Sequence, residues 1–143
     1  MNTFLPYPDF RRSAKCLDYK RLGKQRIEAW QIYLALTKKN YGWKNHPAVK
    51  MWKNYEACLI TYGIEICVEW RYRKYKDNML LKFLKEYIKT PSQYLYFLKT
   101  PKWLGNKKFH SAMRSNLLRK DYKYYKRFHW KEKPNLQYYW PIE

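Results

Sequence analysis

Acidic residues are scarce in this chain: 11 Asp and Glu stand against 31 Lys and Arg, a net charge of +20. Glycine is scarcer still, at 4 of 143 residues, and 3 cysteines are present. Each shortage excludes something. Cys16, Cys58 and Cys67 are too few for a disulfide framework, and no two have the spacing of a zinc knuckle. The chain is therefore expected to hold no metal or cofactor and to work in a reducing, intracellular compartment. No apolar run is long enough to span a bilayer. The opening Met1-Asn2-Thr3-Phe4-Leu5-Pro6 does not have the shape of a signal peptide. With few glycines there is no low-complexity linker and no repeat, and the length suits one domain over 1–143.

What is abundant is positive charge and aromatic surface. A domain at +20 repels itself unless an anion neutralises it, and long polyanions are the usual neutralisers. Aromatics make up 20% of the chain, with 16 Tyr and 7 Trp. Exposed Tyr and Trp beside Lys and Arg suit base stacking together with phosphate contact. The plainer alternatives are a merely soluble basic surface and tyrosines that fill half-buried helix faces.

Prolines sit at segment edges, and the pattern between them is helical. Asp9 is placed to cap a short helix through Cys16, and Asp18 a longer one through about Thr37. At 100° per residue, Leu22, Ala29, Tyr33 and Leu36 fall together, with Ile27, Trp30 and Leu34 beside them. Arg21, Lys24, Gln25 and Glu28 fall on the opposite side, and Arg26 projects among the apolar positions. Pro47 opens a third helix, with Trp52, Tyr55, Leu59, Tyr62 and Ile66 recurring at three-four spacing to about Tyr75. Helices follow at Met79–Ile88 and Lys107–Lys120, while 90–106 and 128–143 read as irregular. The expected fold is all-α, a compact single-domain helical fold with long irregular connections.

Three constellations carry possible chemistry. In Arg21-Leu22-Gly23-Lys24-Gln25-Arg26-Ile27-Glu28, a carboxylate ringed by cations would stay ionised and serve as a general base or steady a developing cation. Lys24 and Glu28 are also spaced as an ordinary surface ion pair. Gly23, costly inside a helix, marks either a close approach or a bend. In Tyr41-Gly42-Trp43-Lys44-Asn45-His46-Pro47, the helix start offers free N–H groups to phosphate, with Lys44, Asn45 and His46 available to sugar or base. A packed turn plugged by Trp43 is the alternative. From Pro101 to Tyr125, His110, Arg114, Arg119, Lys120, Tyr122, Tyr124 and Tyr125 interleave basic and aromatic side chains as a nucleic-acid face does, the alternative being a solvated basic helix end with tyrosines tucked under it.

These blocks resemble the pyrimidine-dimer DNA glycosylases of the phage endonuclease V type, and more closely a bacterial branch of that family. Thr3-Phe4-Leu5-Pro6-Tyr7-Pro8-Asp9-Phe10, Leu17-Asp18, Arg21–Glu28, Gly42–Pro47, Trp52, Tyr55, Glu69-Trp70, Pro101–Gly105, His110-Ser111, Arg114-Ser115 and Leu118–Asp121 carry the likeness. The resemblance implies duplex DNA as partner and a glycosylase coupled to an abasic-site lyase. It implies that the chain's own α-amino group attacks C1′ of the damaged nucleotide, assisted by an acid. Glu28 aligns with that acid, and Arg21 and Arg26 align loosely with phosphate-binding arginines. Family members expose a small residue once the initiator Met is removed. Here the second residue is Asn2, whose bulk opposes removal, so the amine would be Met1's own. The expected catalytic residues are thus Met1, Glu28 and Arg26. Those expected on DNA are Thr3, Arg21, Lys24, Gln25, Lys44, Asn45, His46, His110, Arg114, Arg119, Lys120, Tyr122, Tyr124 and Tyr125. The alternative is a non-catalytic DNA-compacting protein derived from the same fold.

Overall fold

Helix α4 (Glu56–Tyr72) is the axis on which α1 (Phe10–Cys16), α2 (Tyr19–Thr37) and α5 (Leu80–Lys89) pack. This arrangement comes from a computed structural model, which describes residues 1–92 and 98–143. Helix α3 (Pro47–Lys50) is a single turn, and α6 (Lys107–Lys120), α7 (Tyr122–Tyr125) and a 3-10 turn at Lys126–Phe128 follow among the described residues. No strand occurs among the described residues, so the all-α expectation holds. Residues 93–97, inside one stretch expected to be irregular, lie outside the described residues.

Local chemistry explains most helix ends. Asp9 caps α1 by accepting the Arg12 N–H at 2.7 Å, and Asn106 caps α6 by accepting that of Phe109 at 3.1 Å. Asp18 stands at the start of α2 as expected but spends its carboxylate elsewhere. It accepts the Tyr125 hydroxyl and pairs with Arg21 at 3.1 Å. The single helix expected from Pro47 to Tyr75 is broken. Asn54 takes φ 73°, a left-handed conformation that Asn tolerates, and α4 starts two residues later. Within α4, Gly63 lets α5 approach: a Cβ there would stand 2.3 Å from the Phe83 ring. Gly23 has the same use, since a Cβ would stand 2.9 Å from the Trp70 ring. The close approach at Gly23 is therefore made by a packed indole.

The largest departure concerns α2. Its buried residues are Leu22, Gln25, Glu28, Ala29, Ile32 and Ala35, while Ile27 is 47% exposed. The inward face is rotated to run through Gln25 and Glu28, which sequence periodicity placed in solvent. The cause is tertiary. Residues 2–4 lie against this side of the helix and bring backbone N–H and C=O groups that need polar partners.

Arg26 also turns out differently. It pairs with Asp77 at 2.6 Å, and its guanidinium lies over the Trp70 ring at 4.6 Å. Burial alone would raise the Asp77 pKa, but hydrogen bonds from the Leu80 N–H, Arg26 and the Met79 N–H outweigh it and leave it below the ordinary carboxylate value. Arg71 and two backbone N–H groups would still hold Asp77 if Arg26 were removed. Arg26→Ala should therefore cost about 2–4 kcal/mol, somewhat below a fully orphaned buried charge. Because the Asp77 pKa is depressed on folding, its contribution is present above the ordinary carboxylate pKa and lost as pH falls through the folded value. Melting curves of wild type and Arg26→Ala should thus differ most near neutrality and converge in acid. A gap that stays constant down to pH 2 would contradict this role.

Candidate active site at the N-terminus

The N-terminal segment is extended, and side chains from four parts of the fold pin it. From α2, Glu28 Oε2 accepts the Asn2 N–H at 3.1 Å, and Gln25 Oε1 accepts the Phe4 N–H at 2.9 Å. Trp52, after α3, donates its indole N–H to the Thr3 hydroxyl at 3.0 Å. Tyr62 of α4 lies with its hydroxyl 3.1 Å from the Phe4 carbonyl. From α6, His110 Nδ1 bonds the Leu5 carbonyl at 2.8 Å, and Arg114 donates to the Pro6 carbonyl at 2.8 Å. Residues Asn2 to Pro6 are all buried, and Met1 emerges half-buried. A chain terminus is normally free. This one is held at every residue from 2 to 6.

Met1 emerges into a cleft of about 490 Å³. Lys20, Arg21, Lys24 and Glu28 of α2 line one wall, on one helix face. His46 stands at the start of α3, and Lys120 ends α6. Tyr138 and Trp140 of the C-terminal segment form the facing aromatic wall, stacked on each other at 5.8 Å, with Trp140 edge-on to His46 at 5.9 Å. Four side-chain cations thus share the cleft with Met1 and a single carboxylate. A cleft so charged attracts anions and raises their local concentration.

The position of the amine follows from the tether. Asn2 N is 3.1 Å from Glu28 Oε2, and one residue of chain spans at most about 3.6 Å. The Met1 nitrogen therefore lies within about 7 Å of the carboxylate. His46 reports the same proximity. Its pKa is lowered by burial and by the positive N-terminal amine, with Glu28 opposing. Its Nδ1 accepts the Ala48 N–H at 3.0 Å, which leaves Nε2 as the donor.

The expected site residues divide into three groups. Met1, Arg21, Lys24, Glu28, His46 and Lys120 meet at the cleft. Lys44, Asn45 and Tyr122 are exposed without lining it, as is Trp43 on the same loop at φ 70°. The rest are corrected by burial or by internal partners. Thr3, Gln25 and Tyr125 have no exposed surface, and His110 has almost none. The His110 ring is spent on both nitrogens, since Nε2 accepts the Gly105 N–H while Nδ1–H donates to Leu5. Burial lowers its pKa below the ordinary value. Tyr125 donates to Asp18 and so orients the residue that pairs with Arg21. Arg114 is bound to Glu132 at 2.9 Å, and Arg119 to the Pro134 and Leu136 carbonyls. Both hold the C-terminal segment against α6. Tyr124 is covered by Arg127 at 3.9 Å. Arg26 is committed to Asp77 and does not line the cleft, so it is not placed for chemistry beside Glu28.

Sequence reasoning missed Lys20, Tyr138 and Trp140. Lys20 was legible, one turn before Lys24 on the same face. Tyr138 and Trp140 lie in a segment without periodicity, and only tertiary contacts bring them to the cleft: Tyr138 bonds Asn116 at 3.1 Å, and Arg119 lies over its ring. Among the described residues no three His, Cys, Asp or Glu side chains gather as a metal-ligand set, and no helix is long and apolar enough to cross a membrane. The three cysteines are free and buried. Burial pushes the Cys16 and Cys67 thiols up to about 12 and that of Cys58 to about 11.

A family profile described as pyrimidine dimer DNA glycosylase matches residues 1–83. No curated protein and no solved structure gives a significant match. The matched span contains the pinned N-terminal segment, the α2 wall with Glu28, and His46. With 83 of its 143 residues so matched, the chain belongs to the pyrimidine dimer DNA glycosylase family, a family of DNA-repair enzymes.

Proposed function

We propose that this protein is a DNA glycosylase with abasic-site lyase activity on damaged pyrimidines in duplex DNA, acting through the α-amino group of Met1 with Glu28 as its acid–base partner. The supporting observation is the tether: Asn2 N–H on Glu28 Oε2 at 3.1 Å, inside a cationic cleft. In the reaction, the neutral amine forms an N–C1′ bond as the glycosidic C1′–N bond breaks and the base leaves with its electron pair. Opening of the sugar breaks C1′–O4′ and gives a protonated imine between Met1 and the DNA. Loss of a C2′ proton then expels the 3′ phosphate by breaking C3′–O3′, and water returns the amine. Glu28 steadies the cation that develops at C1′ and receives protons. Arg21, Lys24 and Lys120 hold the flanking phosphates. Since C1′ is shielded in a stacked duplex, the nucleotide is flipped toward the cleft. This reading places the protein inside the cell, on DNA.

Borohydride reduction during reaction with ultraviolet-irradiated duplex tests the proposal. A covalent protein–DNA adduct is expected, and its absence would refute the lyase. The +20 charge favours a second reading, a DNA-compacting protein without catalysis. Both readings require strong, salt-sensitive duplex binding. If about six phosphates are neutralised, log K should fall against log salt with a slope near −5. A slope flatter than about −2 would remove duplex DNA as the main partner. Lys120→Ala should weaken binding to similar extents on unrelated sequences, as a phosphate contact does.

A further inference from the structure

Gln25 is wholly buried in the middle of α2. A buried primary amide is costly unless both ends are satisfied. Here both are. Its Oε1 accepts from the Phe4 N–H at 2.9 Å and the Tyr62 hydroxyl at 2.5 Å. Its Nε2 donates to the Asn2 carbonyl at 2.9 Å and to Glu28 Oε2 at 2.9 Å. That is the full two-donor, two-acceptor capacity of an amide. The partners also fix its direction, because a flipped amide would set N–H against the Phe4 N–H and oxygen against the Asn2 and Glu28 oxygens.

Glu28 is left asymmetric. Its Oε2 is occupied twice, by Gln25 and by the Asn2 N–H. Its Oε1 faces Lys24 at 3.7 Å, outside hydrogen-bond reach, and the Lys24 side chain is 76% exposed. We infer that Gln25, held by Tyr62, is a positioning residue that locks Glu28 Oε2 and the N-terminal segment together and so presents Glu28 Oε1 to the reacting sugar. The inference rests on the activity proposed above. It assigns to one buried amide the registration of the two groups that must meet C1′, the amine and the carboxylate. Misplacement of about 1 Å in such a pair is enough to cost on the order of a hundredfold in rate.

Gln25→Met keeps the length of the side chain and deletes its hydrogen bonds. Tyr62→Phe deletes only the hydroxyl that orients the amide. On duplex carrying an abasic site, Gln25→Met should lower the saturated rate of strand cleavage and of borohydride-trapped adduct formation by about 30–100-fold. Duplex affinity should stay within about twofold. Tyr62→Phe should show the same split at about 3–10-fold. A merely structural role would lower the melting temperature and leave the rate of the folded protein unchanged, and that result would overturn the inference. So would loss of affinity in step with rate. If Gln25→Met does not fold, Tyr62→Phe decides alone, and a wild-type rate in that variant overturns the inference. A wild-type protein that forms no adduct refutes the proposed activity itself. A wild-type protein that traps beside a Gln25→Met protein that traps equally fast refutes only the role of Gln25.

Discussion

Glu28→Gln should abolish strand cleavage, by about a thousandfold or more, while duplex affinity changes by less than about threefold. The substitution is isosteric. The amide oxygen of the new side chain can take the place of Oε2 and still accept from Gln25 and the Asn2 N–H, so the N-terminal tether survives. The new NH2 group would stand where Oε1 faces the cleft. On the proposed mechanism, what is lost is one negative charge at the point where positive charge develops on the sugar. The cleft already carries Lys20, Arg21, Lys24 and Lys120, so losing its only carboxylate does not weaken its pull on phosphate. If Glu28 were only the i,i+4 partner of Lys24, the substitution would leave cleavage untouched. Surface pairs of this kind are worth at most about 0.5 kcal/mol.

The second large effect concerns the amine. Acetylating the α-amino group should eliminate the borohydride-trapped adduct and reduce lyase activity by at least about a hundredfold. Binding should persist, since one charge of many is removed. Lys24 and Lys120 line the same cleft and are the competing nucleophiles. They sit on long, flexible four-carbon stems, which hold the nitrogen in no single place. The α-amine is favoured by geometry as well. Its neighbour Asn2 is buried and bonded to Glu28, whereas the Lys24 ammonium is largely solvated.

Much of this was legible in the sequence, for identifiable reasons. Helix existence followed from three-four periodicity and from the capping residue Asp9, which acts locally. The α2 wall followed from the density of cations around Glu28. What could not be read was that the inward face of α2, besides Leu22 and Ala29, takes in Gln25 and Glu28. Periodicity assigned Gln25 and Glu28 to solvent because it weighs side chains only. The partner that buries them is a stretch of backbone, residues 2–4, whose amides demand polar groups. The same blindness affected the basic C-terminal third. Arg114, Arg119 and His110 look like a nucleic-acid face, yet they hold Glu132, the Pro134 and Leu136 carbonyls and the Leu5 carbonyl. Cations that serve carbonyls and cations that serve phosphates have the same sequence signature. Tyr138 and Trp140 had no signature, because their place depends on how an irregular segment folds back along α6.

The most direct test of the central claim is to locate the covalent bond. The protein would be incubated with irradiated or abasic duplex, reduced with borohydride and digested, and the DNA-bearing peptide identified by mass spectrometry. The N-terminal tether predicts that the reduced deoxyribose remnant sits on the α-nitrogen of the peptide that begins at Met1. A remnant on Lys24 or Lys120, or no adduct on any peptide, would contradict it.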